Sequence, residues 1–166
     1  MPDDAARAVS LHFPVISHGA ELLVQGYLMR RNILTYKAPP NNKGYDLICI
    51  HPYNATEHRP ICIQVKSRYA TDSDMTFPVK EQTFKAFDFL VAVLLNVGKF
   101  YRKRATQERS DPEFYTLPVE FVRQHHDKST SWEKLRLRGL DIKQYKNADG
   151  FELIAKALGI EYPAKP

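Results

Sequence analysis

Apolar and polar positions fall into blocks along the chain, and their periods assign most of the elements. From Ser17 to about Arg31, Leu22, Leu23, Tyr27 and Leu28 recur at helical spacing, predicting an amphipathic helix with Ser17 as its cap. Glu21 then falls in the first turn, where the helix dipole favours an anion. Asn32 closes this helix, Ile33 to Lys37 reads as a short strand, and Pro39-Pro40-Asn41-Asn42-Lys43-Gly44 is a turn. Tyr45–His51 (YDLICIH) and Ile61–Lys66 (ICIQVK) are strands rich in β-branched residues. The polar loop between them, with Pro52, Asn54 and Pro60, suits an antiparallel pair. Val79 to Ala86 reads as a short helix, and Phe87–Leu95 (FDFLVAVLL) is apolar at nearly every position, as in a strand covered on both faces. Beyond Gly98, Phe114–Leu117 makes a further strand and Pro118 opens a helix of roughly two turns. Asp149 caps a last helix, Gly150 to Leu158, which Gly159 ends. This order predicts an α/β fold with a central mixed sheet flanked by helices.

No repeat, low-complexity stretch or Gly/Ser linker divides the chain, so residues 1–166 read as one domain with residues 1–12 as a loose N-terminal tail. The composition, 43% hydrophobic and 26% charged, is that of a globular protein. Its longest apolar stretch, Phe89 to Leu95, is too short to cross a bilayer, and the acidic start (Met1, Pro2, Asp3, Asp4) is no secretory signal. These features point to a cytoplasmic protein with no membrane partner. Cys49 and Cys62 sit inside apolar runs without metal-site spacing and read as small buried hydrophobes.

The net charge of +5 permits a polyanionic partner without demanding one. Its distribution is more telling. Lys99, Arg102, Lys103 and Arg104 crowd one segment around Phe100 and Tyr101, while Lys134, Arg136 and Arg138 alternate with Leu135 and Leu137. Either cluster also reads as solvated loop charge.

Candidate chemistry centres on Asp46 with Gln64 and Lys66. Residues two apart on a strand share a face, so Gln64 and Lys66 project together from a strand that is otherwise Ile-Cys-Ile-x-Val. A purely structural strand would fill those positions with hydrophobes. Asp46 offers a hard anionic oxygen for Mg²⁺, Gln64 a neutral one, and Lys66 an ammonium to hold or activate water and offset transition-state charge. An Asp46–Lys66 cross-strand ion pair with Gln64 in solvent accounts for the same residues. The histidines share no face suited to a metal, and no phosphate-binding glycine loop occurs. Trp132 reads as a core or dimer contact more than as a platform for stacked bases.

Gly44-Tyr45-Asp46, an apolar strand, a loop and a second apolar strand carrying Gln64-Val65-Lys66 resembles the PD-(D/E)XK nuclease superfamily. The resemblance spans roughly Ser17 to Leu95 and implies a restriction-endonuclease-like α/β core. It further implies a metal-dependent nuclease that hydrolyses DNA phosphodiester bonds, with Mg²⁺ or Mn²⁺ as cofactor. Asp46, Gln64 and the helix residue Glu21 would be the metal ligands, joined by the Val65 carbonyl, and Lys66 would position the water. Arg68, Lys99, Arg102, Lys103 and Arg104 are the candidate DNA contacts, with Ser67 and Gln82 as further site neighbours, and a homodimer follows by analogy. Two positions depart from the pattern. Tyr45 replaces a Pro, a frequent variation, and Gln64 replaces the Glu or Asp, which removes a negative charge and weakens Mg²⁺ binding. Some superfamily members carry Gln there and remain active. The alternative is a catalytically weak or inactive nucleic-acid-binding module on the same fold. A sugar- or peptide-binding domain also fits the composition but leaves Asp46, Gln64 and Lys66 unexplained.

Overall fold

The computed structural model describes residues 12–98 and 109–161. The Lys99–Arg104 cluster and nearly all of the N-terminal tail lie outside the described residues. Helix α1 (Phe13–Met29) is followed by strands β1 (Leu34–Lys37), β2 (Leu47–Ile50), β3 (Ile61–Ala70), β4 (Thr76–Pro78), β5 (Phe89–Gly98) and β6 (Glu113–Pro118). Helix α2 (Val119–His125), strands β7 (His126–Asp127) and β8 (Lys134–Arg136), and helix α3 (Asn147–Ala157) complete the order.

Five strands form the main sheet in the order β1-β2-β3-β5-β6. Only β3 and β5 pair in parallel, so the sheet is mixed. The uninterrupted apolar run of β5 has its reason here, because alternate residues enter two different cores. Phe89, Val91 and Val93 pack with Ala20, Val24 and Leu28 of α1 and with Phe151, Ile154 and Ala155 of α3. Leu90, Ala92 and Leu94 pack on the other face with Phe77, Val79, Val122, Leu135 and Leu137. Tyr27 joins the two helices on its side, its ring 4.9 Å from Phe114 and stacked 5.9 Å from Phe151.

Several sequence expectations need correction. Helix α1 starts at Phe13 with His12 as cap, and Pro14 occupies its first turn, where no N–H is needed. Ser17 is therefore inside the helix, and Glu21 lies about two turns into it, beyond the first turn that the dipole reading assumed. Asn32, at φ +60°, closes the helix as expected. Residues 79–86 contain only the 3-10 turn Glu81–Thr83, not a helix. Helix α3 starts at Asn147, so Asp149 lies in its first turn and caps nothing. The Asn147 side chain instead accepts the Phe114 N–H at 2.9 Å.

The alternation at 134–138 opens as a strand over 134–136, with Lys134 buried and Arg136 and Arg138 exposed. β8 is the centre of a second sheet, β4-β8-β7, that covers one face of the main sheet together with α2. Leu135 and Leu137 are core residues, and Lys134 is only 4% exposed, paired with Asp127 at 3.3 Å. Trp132, 47% exposed, is no core residue. Both cysteines are free, and burial pushes the Cys49 thiol up to about 12, which leaves it inert. Among the described residues no helix is long and apolar enough to cross a membrane.

Candidate active site

The site forms where β2 begins and β3 continues past it. The paired register of β2 and β3 stops at Leu47 opposite Ile63. Asp46, one residue outside β2, donates its N–H to the Ile63 carbonyl at 2.8 Å, and its Oδ2 accepts the Val65 N–H at 2.7 Å. Its own carbonyl accepts the Ala38 N–H at 2.8 Å, which ties it to the end of β1 as well. Asp46 thus grips the two peptide groups on either side of Gln64. Gly44 permits this placement: at φ +102°, a Cβ there would meet the Ala86 Cβ at 2.5 Å.

Gln64 and Lys66 share a face of β3, beside Leu90 and Ala92 of β5. Lys66 is half-buried, whereas Gln64 is only 6% exposed. Among the described residues the buried Gln64 Oε1 has no hydrogen-bond partner. An unmet buried acceptor costs about 1–3 kcal/mol, and a solvated Gln64, as the simple ion-pair reading requires, is not what the fold provides.

Burial pushes the Asp46 carboxyl above its usual range, and the negative charge of Glu21 adds to the rise. The Val65 N–H and the ammonium groups of Lys66 and Lys37 act against it. Glu21, from the middle of α1, therefore reaches the electrostatic neighbourhood of Asp46. It is already engaged: Lys37 Nζ lies 2.5 Å from its Oε2 and 2.8 Å from His18 Nδ1. Lys37 escaped sequence reasoning because nothing local marks the last residue of a short strand as the partner of a helix acid sixteen residues earlier. Thus Glu21, Lys37 and Lys66 share the electrostatic neighbourhood of Asp46, which holds the peptide groups flanking Gln64.

A buried carboxylate held above its usual pKa and an orphaned amide oxygen on the neighbouring strand are each the kind of group a hard cation relieves, so the donor types fit a divalent metal. The fit rests on oxygens of mixed type, since among the described residues no group of three or more His, Cys, Asp or Glu is placed to hold one. Other expected neighbours are less central. Arg68 directs its Nε to the Thr76 carbonyl at 2.7 Å, which ties it to β4. Gln82 is exposed on the 3-10 turn, and His126 is turned to the Val79 carbonyl at 2.9 Å.

The sequence matches no protein-family profile. No curated protein matches it either. Among solved structures the chain is similar to a bacterial homing endonuclease, I-Ssp6803I, with a TM-score of 0.50 and 18% identity over 90% of this chain and 94% of that one. The Holliday junction resolvase Hjc of Archaeoglobus fulgidus aligns with a TM-score of 0.47 and 11% identity over 89% and 98% of the two chains. The likeness is one of fold, a restriction-endonuclease-like α/β core.

Proposed function

We propose that this chain is a metal-dependent nuclease that hydrolyses DNA phosphodiester bonds, using Mg²⁺ or Mn²⁺. The observation that carries the reading is the orphaned, buried Oε1 of Gln64, a residue whose two flanking peptide groups Asp46 holds and which shares its face of β3 with Lys66. Asp46 and Gln64 would hold the ion, with Glu21 as a third ligand once it leaves Lys37. When bound, the ion supplies Lewis-acid stabilisation of the scissile phosphate and lowers the pKa of its water. Lys66 orients the attacking water through its ammonium and offsets charge building on the phosphoryl oxygens. The burial of Gln64 keeps bulk water from competing for its oxygen. The shared fold with a homing endonuclease supports the substrate class. Lys99, Arg102, Lys103 and Arg104, outside the described residues and between β5 and β6 in the sequence, would supply phosphate contacts, with Arg68 as a further one.

The working unit is a homodimer built on α1. The outward face of that helix runs Val15-x3-Gly19-x2-Leu22-x3-Gly26-x2-Met29. Its three large residues are exposed, and a Cβ at either glycine would touch nothing within 4 Å of its own chain. Each mid-helix glycine costs up to about 1 kcal/mol, which close approach of a second helix repays through the 4,3 spacing.

One observation favours the second reading, a binding module without activity: Glu21 is paired with Lys37, and Gln64 brings no charge. A plasmid-nicking assay across a Mg²⁺ titration, with EDTA as control, decides between them. Metal-dependent cleavage that Lys66→Ala abolishes supports the nuclease. Salt-sensitive DNA binding with no cleavage at any Mg²⁺ or Mn²⁺ concentration, even for Gln64→Glu, replaces it with the binding module.

A further inference from the structure

Past Arg68 the regular pairing of β3 with β5 breaks. Arg68 pairs with Leu94 and Ala70 with Gly98, so three β5 residues, Leu95, Asn96 and Val97, lie against the single Tyr69. Such a bulge re-aims the side chains beside it. A cavity of about 270 Å³ opens there, near the lower end for small-ligand pockets. It is lined by Phe13 and Ser17 of α1, Arg68 and Tyr69 of β3, Asp74 of the β3–β4 turn and Trp132 of the β7–β8 loop, among others. The second sheet, which the main fold does not need for the metal-site residues, thereby carries an indole to the catalytic end of β3.

Two elements lead from the candidate active site straight into this cavity. Arg68 follows Lys66 by two residues on one face of β3, about 6.6 Å along the strand. Ser17 precedes Glu21 by one turn on the same side of α1. A phosphate at Lys66 therefore leaves its neighbouring nucleotide at the cavity mouth. The lining is chemically mixed in the way a heterocyclic base requires. Phe13 is 60% exposed and Trp132 47% exposed, so both offer open aromatic surface, and the Phe13 and Tyr69 rings are 6.4 Å apart at 57°. Polar groups on the wall are held in place: Arg68 Nε donates to the Thr76 carbonyl at 2.7 Å, and Asp74 Oδ1 accepts the Thr76 N–H at 3.0 Å. A guanidinium donor and a carboxylate acceptor together match the donor and acceptor edges of a base, whereas the carboxylate disfavours a simple anion. Arg138 donates to the Ser73 carbonyl at 3.1 Å and adds positive charge at the rim.

We propose that this cavity takes one unstacked nucleobase, from a single-stranded or unpaired position of the DNA, next to the nucleotide at Lys66. The proposal rests on the nuclease reading for its orientation but not for its test. Trp132 is the only tryptophan in the chain, so its emission reports the cavity directly. The protein is titrated in EDTA, where no metal-dependent cleavage occurs, with a short oligothymidylate and with a fully paired hairpin of equal length. The single strand is expected to quench Trp132 saturably and the hairpin to leave it nearly unchanged. Phe13→Ala, at an exposed position, should weaken single-strand binding roughly 5- to 150-fold, the range for losing one stacked base, and hairpin binding less than twofold. Unchanged emission at saturating single strand, or equal loss for both DNAs in Phe13→Ala, overturns the proposal. Emission that depends on protein concentration alone also overturns it, by assigning the cavity to a second copy. Cleavage without quenching rejects the base site and leaves the nuclease standing. Quenching by the single strand without cleavage at any metal concentration retains the base site and rejects the nuclease.

Discussion

Replacing Gln64 with Met should make the protein more stable and less useful. Met is unbranched and close to Gln in length, and its neighbours on that face, Leu90 and Ala92 among them, are apolar. The wild-type Oε1 is buried with no hydrogen-bond partner among the described residues, a situation worth about 1–3 kcal/mol of destabilisation. Gln64→Met removes that penalty. At roughly 2–4 °C per kcal/mol for a chain of this size, the melting temperature in EDTA should rise by about 2–12 °C. Saturating Mg²⁺ should shrink that gap and, where the penalty removed is nearer about 1 kcal/mol, reverse it. A ligand at a hundred times its Kd stabilises the wild type by about 2.7 kcal/mol, and Gln64→Met loses most of that gain. Thermal unfolding in EDTA and in Mg²⁺, run beside the nicking assay, reads both effects. A variant that is destabilised in EDTA, or one that keeps wild-type cleavage, refutes the view that Gln64 is kept for its oxygen at a cost in stability.

Lys66→Ala should fold normally, since a partly exposed lysine contributes about 0–1 kcal/mol, yet lose on the order of a hundred- to thousandfold in cleavage rate, with DNA affinity nearly intact; gel-shift and single-turnover rates separate the two. Lys37→Met should free Glu21 and lower the Mg²⁺ giving half-maximal cleavage; an unchanged or higher requirement would remove Glu21 from the ligand set. Arg102→Ala combined with Lys103→Ala should reduce the salt slope of DNA binding by about one to two, measured by anisotropy; an unchanged slope moves the phosphate contacts elsewhere. Leu22→Asp should convert the dimer to monomer in sedimentation; a wild type already monomeric at tens of micromolar rejects the α1 interface.

The parts of the fold that announce themselves locally were legible. Strands β2 and β5 carry apolar or β-branched runs and β3 opens with one, Ile61-Cys62-Ile63, and pairing β2 with β3 needs only the loop between them. Strands β4, β7 and β8, of two or three residues each, are too short for any period to register. Leu135 and Leu137 become core residues only because the second sheet closes over β5. The start of α1 was missed because Phe13-Pro14-Val15-Ile16 lacks a capping side chain. At the site, alternation alone put Gln64 and Lys66 on one face, and that holds. The burial of Gln64 and the Lys37 grip on Glu21 depend on distant segments, so no local pattern reveals them. Glu21 itself was singled out partly for a position at the helix start that it does not occupy.

Central to the proposed chemistry is that Asp46 and Gln64 converge on a single divalent cation. An anomalous-difference map from crystals grown in Mn²⁺ addresses it without reference to activity. A peak is expected within about 2.6 Å of both an Asp46 carboxylate oxygen and Gln64 Oε1. A well-ordered site with no peak there, or a peak bound by Asp46 while Gln64 Oε1 stays turned away from it, would rule out Gln64 as a metal ligand.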